Sequence, residues 1–181
     1  MNQATRSKKE LTKSLFELMK RKDFTRITVT EIAQQALLDR RTFYRHYVQK
    51  EEIIEDYCDE LCLAYIGRLK QVMPINFYLM AFIYFEFWYE HREFLALIIS
   101  SHLYHFVIAR YDTYLPHIRE IFEGQTFEYE NTTMEKYALS FSIGGFWHLL
   151  KVWQKNGMQE TPEEMATIMM KAYVLVDKTK K

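Results

Sequence analysis

Glycine occurs five times and proline three times in 181 residues. That is too seldom to turn the many short strands of a sandwich or barrel. Between these sparse breaks, apolar residues recur at helical spacing. Leu11, Leu15, Leu18 and Met19 form the i, i+4, i+7, i+8 stripe of an amphipathic helix whose other face carries Lys8, Lys9, Lys13, Lys20 and Arg21. Thr28, with Glu31 three residues on, predicts a capping box and a short helix burying Ile32, Ala33 and Ala36. Leu37-Leu38 reads as a turn, and Asp39 as the N-cap of a third helix from Arg40 to about Tyr47. A longer helix is expected from near Lys50 to about Val72, with Glu51 and Glu52 favouring its N-terminal dipole.

Beyond Pro74 the apolar residues crowd. Residues 1–50 hold five aromatics, and the rest of the chain holds 24. From Ile75 to His91 and from Glu93 to about Glu123 nearly every helical face is apolar, as in helices buried on several sides. Glu123 to Thr132 reads as a polar loop. A helix from about Thr133 to Lys155 should end at Asn156-Gly157. Thr161-Pro162-Glu163-Glu164 combines an N-cap, a first-turn proline and a capping-box glutamate for the last helix. The expectation is an all-α chain of about nine helices and no strand.

Lys+Arg and Asp+Glu are 24 each, for a net charge of zero. Residues 1–50 carry 12 basic against 5 acidic residues, a net of +7, and residues 51–181 carry 12 against 19, a net of −7. A basic head on an acidic body hints at nucleic-acid contact. The uncharged stretches Gln71–Phe85 and Phe94–Ala109 fall short of the ~20 apolar residues of a membrane span, so no membrane partner is expected. MNQATRSKKE has no apolar core, so no signal peptide is expected. Cys58 and Cys62, one helical turn apart, suggest reduced thiols in the cytoplasm.

A basic helix followed by two short helices around a tight turn is a helix-turn-helix arrangement, in which the last helix enters the major groove. With Phe43 and Tyr47 packed inward as an i, i+4 pair, Arg40, Arg41, Tyr44 and Arg45 are left to face DNA. Arginine can address guanine bidentately, and hydroxyls serve phosphates or base edges. Lys50 would sit at a helix N-terminus, where backbone N–H groups favour a phosphate.

The run Ile27-Thr28-Val29-Thr30-Glu31-Ile32-Ala33, then Arg41-Thr42-Phe43-Tyr44-Arg45-His46-Tyr47, then Lys50-Glu51-Glu52-Ile53, resembles the DNA-binding domain of TetR/AcrR-family bacterial regulators over roughly residues 5–65. The resemblance implies that Thr30, Arg41, Thr42, Tyr44, Arg45, His46 and Lys50 face DNA, with Tyr44 and Lys50 on phosphates. It implies a DNA-binding domain over residues 1–65 (helix-turn-helix about 28–47) and a helical effector-binding and dimerisation domain over residues 66–181. It also implies a homodimer formed through the last two helices of each subunit. Arg40-x-Thr42-Phe43-Tyr44-x-His46 and the Gly144-Gly145-Phe146 … Trp153 … Gly157 … Thr161-Pro162-Glu163-Glu164 tail look most like a subgroup that includes dihydroxyacetone-kinase regulators. Two positions depart from the family: Leu37 stands where the turn is commonly glycine, and Arg41 where a small residue is common. A left-handed Leu37 would cost about 1–2 kcal/mol.

His46 and the candidates outside this motif have plainer readings beside them. His46 either contacts phosphate or packs within the motif. Cys58 and Cys62 read as small buried hydrophobes before a metal or redox pair. His91, His102, His105 and His117 read as surface or satisfied histidines, and no metal or cofactor is expected. Tyr84, Trp88, Tyr104, Tyr111 and Trp147 are core residues that could also line an effector pocket, since Tyr and Trp bring polar handles into apolar walls. Phe141, Gly144, Gly145, Trp153, Ile168 and Met169 are candidates for a dimer seam. Gly144-Gly145, which costs a mid-helix ~1 kcal/mol per glycine against alanine, fits close helix approach or a kink. No nucleophile elbow, phosphate loop or zinc spacing suggests an enzyme. The function expected is an effector-controlled homodimeric regulator, more often a repressor, on a pseudo-palindromic double-stranded operator. The rival is a protein-interaction module with vestigial DNA binding.

Overall fold

A computed structural model describes residues 3–72, 74–122 and 131–177. Among them are nine α-helices and no strand: α1 (Gln3–Met19), α2 (Val29–Gln35), α3 (Arg40–Tyr44), α4 (Glu51–Gln71), α5 (Phe77–Glu90), α6 (Arg92–Ser100), α7 (Tyr104–Phe122), α8 (Thr132–Lys155) and α9 (Pro162–Asp177). A 3-10 turn at Phe24–Arg26 joins α1 to α2. Residues 123–130 of the expected polar loop lie outside the described residues.

Local chemistry places these boundaries. At α2, Thr28 Oγ1 accepts from the Glu31 N–H at 3.2 Å, and Glu31 Oε2 accepts from the Thr28 N–H at 2.9 Å. Thr161 and Glu164 exchange the same pair of bonds at the start of α9. Asn76 and Asn131 cap α5 and α8 by accepting from the N–H groups of Leu79 and Met134. The apolar stretch expected from Glu93 onward is broken at Ser101-His102-Leu103. His102 takes φ 58 there, while the N–H groups of His102 and Leu103 bond back to Ile99 and Ile98. No glycine or proline announced that break. Pro116, by contrast, sits inside α7.

The chain forms two compact units. Met1–Leu63 with Ala96–Tyr114 make the first, and Ala64–Leu95 with Leu115–Lys181 the second. Residues 96–114 thus cluster with the head, which a single cut at residue 65 would not assign to it. The first unit's core is largely aliphatic: Leu11, Leu15, Ile32, Ile53 and Ile54 are fully buried, as is Phe43. The core of the second is aromatic, with Tyr84, Phe85, Phe87, Trp88 and Trp153 buried. Among the described residues no single helix is long and apolar enough to cross a membrane.

Candidate nucleic-acid interface

Helix α3 is the third helix of the head, and its anchors decide what it presents. Phe43 and Tyr47 are buried with ring centroids 5.8 Å apart, the i, i+4 pair predicted from spacing. Arg40, Arg41, Tyr44 and Arg45 are left exposed on the other side. The Arg40 guanidinium lies 5.8 Å from the Tyr44 ring centroid, and its Nη2 donates to the Tyr44 hydroxyl at 3.4 Å. Asp39 occupies the N-cap with extended backbone but makes no side-chain cap bond; its carbonyl accepts from the Thr42 N–H at 2.8 Å.

Other expected residues sit differently. Thr42 is only 9% exposed, and its hydroxyl accepts from Arg45 Nη2 at 3.0 Å, so from beneath the surface it orients the exposed Arg45 cation. Thr30, in the first turn of α2, is half-buried. His46 is half-buried as well. Burial first, then the positive charges of Lys8 and Arg45, hold its imidazole below the usual histidine range.

Lys50 departs furthest from expectation. Its ammonium donates to the carbonyls of Phe24 and Ile27 at 2.6 and 2.8 Å, with a longer bond to Thr25 O at 3.3 Å. It also lies 4.5 Å from the Phe24 ring centroid. The cation closes the C-terminal end of the 3-10 turn, where free carbonyls attract positive charge, instead of projecting from the start of α4.

A second polar junction has no counterpart in the sequence reading. Asp56, on α4, accepts on one oxygen from the Tyr47 hydroxyl at 2.8 Å and from Lys8 Nζ at 2.9 Å. Burial, then this bond, raises the Tyr47 phenol well above its ordinary range, so it stays a donor. One carboxylate thus ties α1, the residue beyond α3 and α4 together. Arg110, on α7, pairs with Glu55 at 2.7 Å and with Asp59 at 3.5 Å. The only advance signal was the density of carboxylates at the start of α4: Glu51, Glu52, Glu55, Asp56 and Asp59.

The five effector candidates divide between the units. Tyr84, Trp88 and Trp147 come together in the second, where Trp88 and Trp147 meet edge to face at 5.2 Å and Tyr84 meets Phe146 at 4.8 Å. Tyr104 and Tyr111 belong to the first unit, and Tyr104 is exposed, so the five do not share one compact unit. The dimer candidates divide too. Phe141 is 84% exposed; Gly144, Gly145 and Ile168 are exposed, and Met169 is half-buried. Trp153 is different: it is 2% exposed, packs against Phe85 at 5.6 Å and donates its indole N–H to Glu160 O at 3.1 Å. It is a core residue of its own chain and does not form the surface of a seam. Cys58 and Cys62 are buried free thiols. Among the described residues no group of three or more His, Cys, Asp or Glu is placed to hold a metal ion.

Residues 11–57 match the family described as "Bacterial regulatory proteins, tetR family". Residues 75–173, more than half the chain, match the TetR-type family described as "Transcriptional regulator C-terminal region". No curated protein matches the sequence. Among solved structures, the fatty acid degradation regulator FadR from Bacillus halodurans is similar with a TM-score of 0.66 and 13% identity, over 89% of this chain and 91% of that one. The dihydroxyacetone kinase operon activator DhaS is similar with a TM-score of 0.65 and 15% identity, over 96% and 97%. At such identities the likeness is one of fold. The two family matches go further: the chain belongs to the TetR family of bacterial regulators, with a helix-turn-helix DNA-binding domain at its N-terminus and a helical ligand-binding domain after it.

Proposed function

We propose that this protein is an effector-controlled repressor that binds a pseudo-palindromic operator as a homodimer. The observation that carries the reading is the cationic face of α3. Arg40, Arg41, Tyr44 and Arg45 stand exposed because Phe43 and Tyr47 are buried. Arg40 and Arg41 read base edges, Tyr44 and Arg45 hold the backbone, and Thr30 and His46 flank the contact. Lys50 contributes by fixing the 3-10 turn, and Thr42 by steering Arg45.

Dimerisation is placed on the exposed face of α8 and α9, along Met134, Tyr137, Phe141, Val152 and Ile168. A Cβ added at Gly144 or Gly145 would meet nothing within 4 Å, and α8 runs unbroken through both. Packing within one chain therefore gives no reason for the glycines, while a second copy approaching closely does. The effector site is placed in the second unit at Tyr84, Trp88 and Trp147. An effector can act only by binding one arrangement of the dimer better than the other. The likeness to DhaS favours the dihydroxyacetone-kinase-regulator subgroup.

The test is selection of duplexes from a random pool, followed by gel shift across a salt series. A phosphate-contacting dimer must lose affinity steeply as salt rises. An enriched palindrome and a steep slope support the reading; no enrichment at low salt would sink it. Sedimentation of Phe141→Glu should give a folded monomer, and an unchanged dimer would move the seam elsewhere.

A further inference from the structure

Three non-glycine residues in the described chain have left-handed backbone: Leu37 at φ 55, His102 at φ 58 and Met158 at φ 50. Each lies just past a helix. At α2 the Leu37 N–H bonds to Gln34 O at 3.0 Å and the Leu38 N–H to Ala33 O at 2.9 Å. That is the Schellman closure, whose left-handed position is usually glycine. The same closure at the end of α8 uses Gly157 at φ 79. At that turn the chain supplies glycine.

The other two exceptions have visible reasons. His102 is polar, and histidine is among the residues enriched in this conformation. Met158 is apolar but buried, so its side chain packs inside its own unit. Leu37 has neither excuse. It is apolar, left-handed and 92% exposed. Its backbone is disfavoured, and its side chain buries almost nothing in the chain that carries it.

What stands beside it supplies the reason. Leu37 lies two residues before Asp39, at the end of α3 where Arg40 and Arg41 are exposed. In a helix-turn-helix unit that N-terminal end approaches the base edges. The apolar feature displayed on the major-groove edge is the C5-methyl of thymine. We propose that Leu37 is a specificity-determining contact that buries a thymine methyl of the operator half-site. This rests on the DNA-binding reading above. The arginines select by hydrogen bonding; Leu37 selects by apolar contact at a neighbouring base pair.

The full-length protein is first used to enrich 30-base-pair duplexes from a random pool. Each dT in the enriched half-site is then replaced by dU, which removes only the methyl. One replacement should weaken wild-type binding roughly fourfold, the worth of one methyl-sized burial. Leu37→Gly and Leu37→Asn both accept the left-handed backbone. Their unfolding midpoints should stay level or rise by roughly 2–4 °C, and both should bind the dT and dU duplexes equally. Leu37→Met should keep the discrimination. If Leu37→Gly retains the wild-type dT/dU ratio, or if no replacement weakens the wild type, the proposal is overturned while DNA binding stands. If the wild type enriches no duplex at all, the DNA-binding reading falls and takes this contact with it.

Discussion

In the head, side chains are positioned by contacts that end on a charge. Lys50 closes the 3-10 turn through three carbonyls, Asp56 gathers Tyr47 and Lys8, and Glu31 closes the α2 cap while pairing with Lys22 at 2.6 Å. In the second unit the contacts that fill the core are rings. Tyr84 meets Phe146, Phe85 meets Trp153, Trp88 meets Trp147, and Tyr89 stacks on Trp153 at 5.9 Å. Directional bonds hold a surface in register, which suits the display of arginines to a grooved polyanion. Ring packing fixes a core through buried area and edge-to-face contact, which suits the apolar walls of a ligand-binding domain.

The contrast can be broken, beginning with the largest effect. Trp153→Ala should cost about 3–5 kcal/mol by urea unfolding, since it empties a buried aromatic site. A cost below 1 kcal/mol would mean that the aromatic core repacks freely. Lys50→Ala should cost about 2 kcal/mol without any DNA present, because three carbonyls lose a charged donor. A phosphate-holding lysine would instead leave the free protein's stability unchanged. Tyr47→Phe should cost about 1 kcal/mol, as Asp56 keeps its bond to Lys8; a double-mutant cycle with Lys8→Met measures how far the two bonds depend on each other.

The smallest effect is one of pH. Its bond to Lys22, then those to Thr28, hold the Glu31 carboxyl down to about 2 against an ordinary 4.5. A depressed carboxylate contributes stability that is complete above about pH 4.5 and is lost as pH falls towards 2. Glu31→Gln should therefore flatten part of the acid limb of a melting-temperature profile while leaving its shape above pH 6 unaltered. An identical acid limb would remove Glu31 from the head's polar framework.

What could be read from the sequence follows the range of each interaction. The caps at Thr28-Glu31 and Thr161-Glu164, the stop at Asn156-Gly157 and the inward pair Phe43/Tyr47 all join residues three or four apart, and all were legible. Lys50 reaches carbonyls 23 to 26 residues away, and no local pattern encodes that reach. The break after α6 was hidden because Ser101-His102-Leu103 carries no breaker residue. Trp153 was misplaced at a surface because α8 is apolar on more than one side, and periodicity cannot say which side meets its own chain. The exposure of Tyr104 was hidden for a related reason: an aromatic at a helix start carries no label for depth.

Both cysteines of the chain, Cys58 and Cys62, belong to the first unit, and burial pushes both thiols up, the latter to about 12. Folded, they are poor nucleophiles; opened, they are ordinary ones. A thiol-alkylating reagent therefore clocks the opening of the head alone, with no engineered label and no signal from the aromatic unit. Alkylation rates with and without duplex would report how tightly DNA shuts the head, and rates with and without an effector whether binding in the aromatic unit is felt in the head at all.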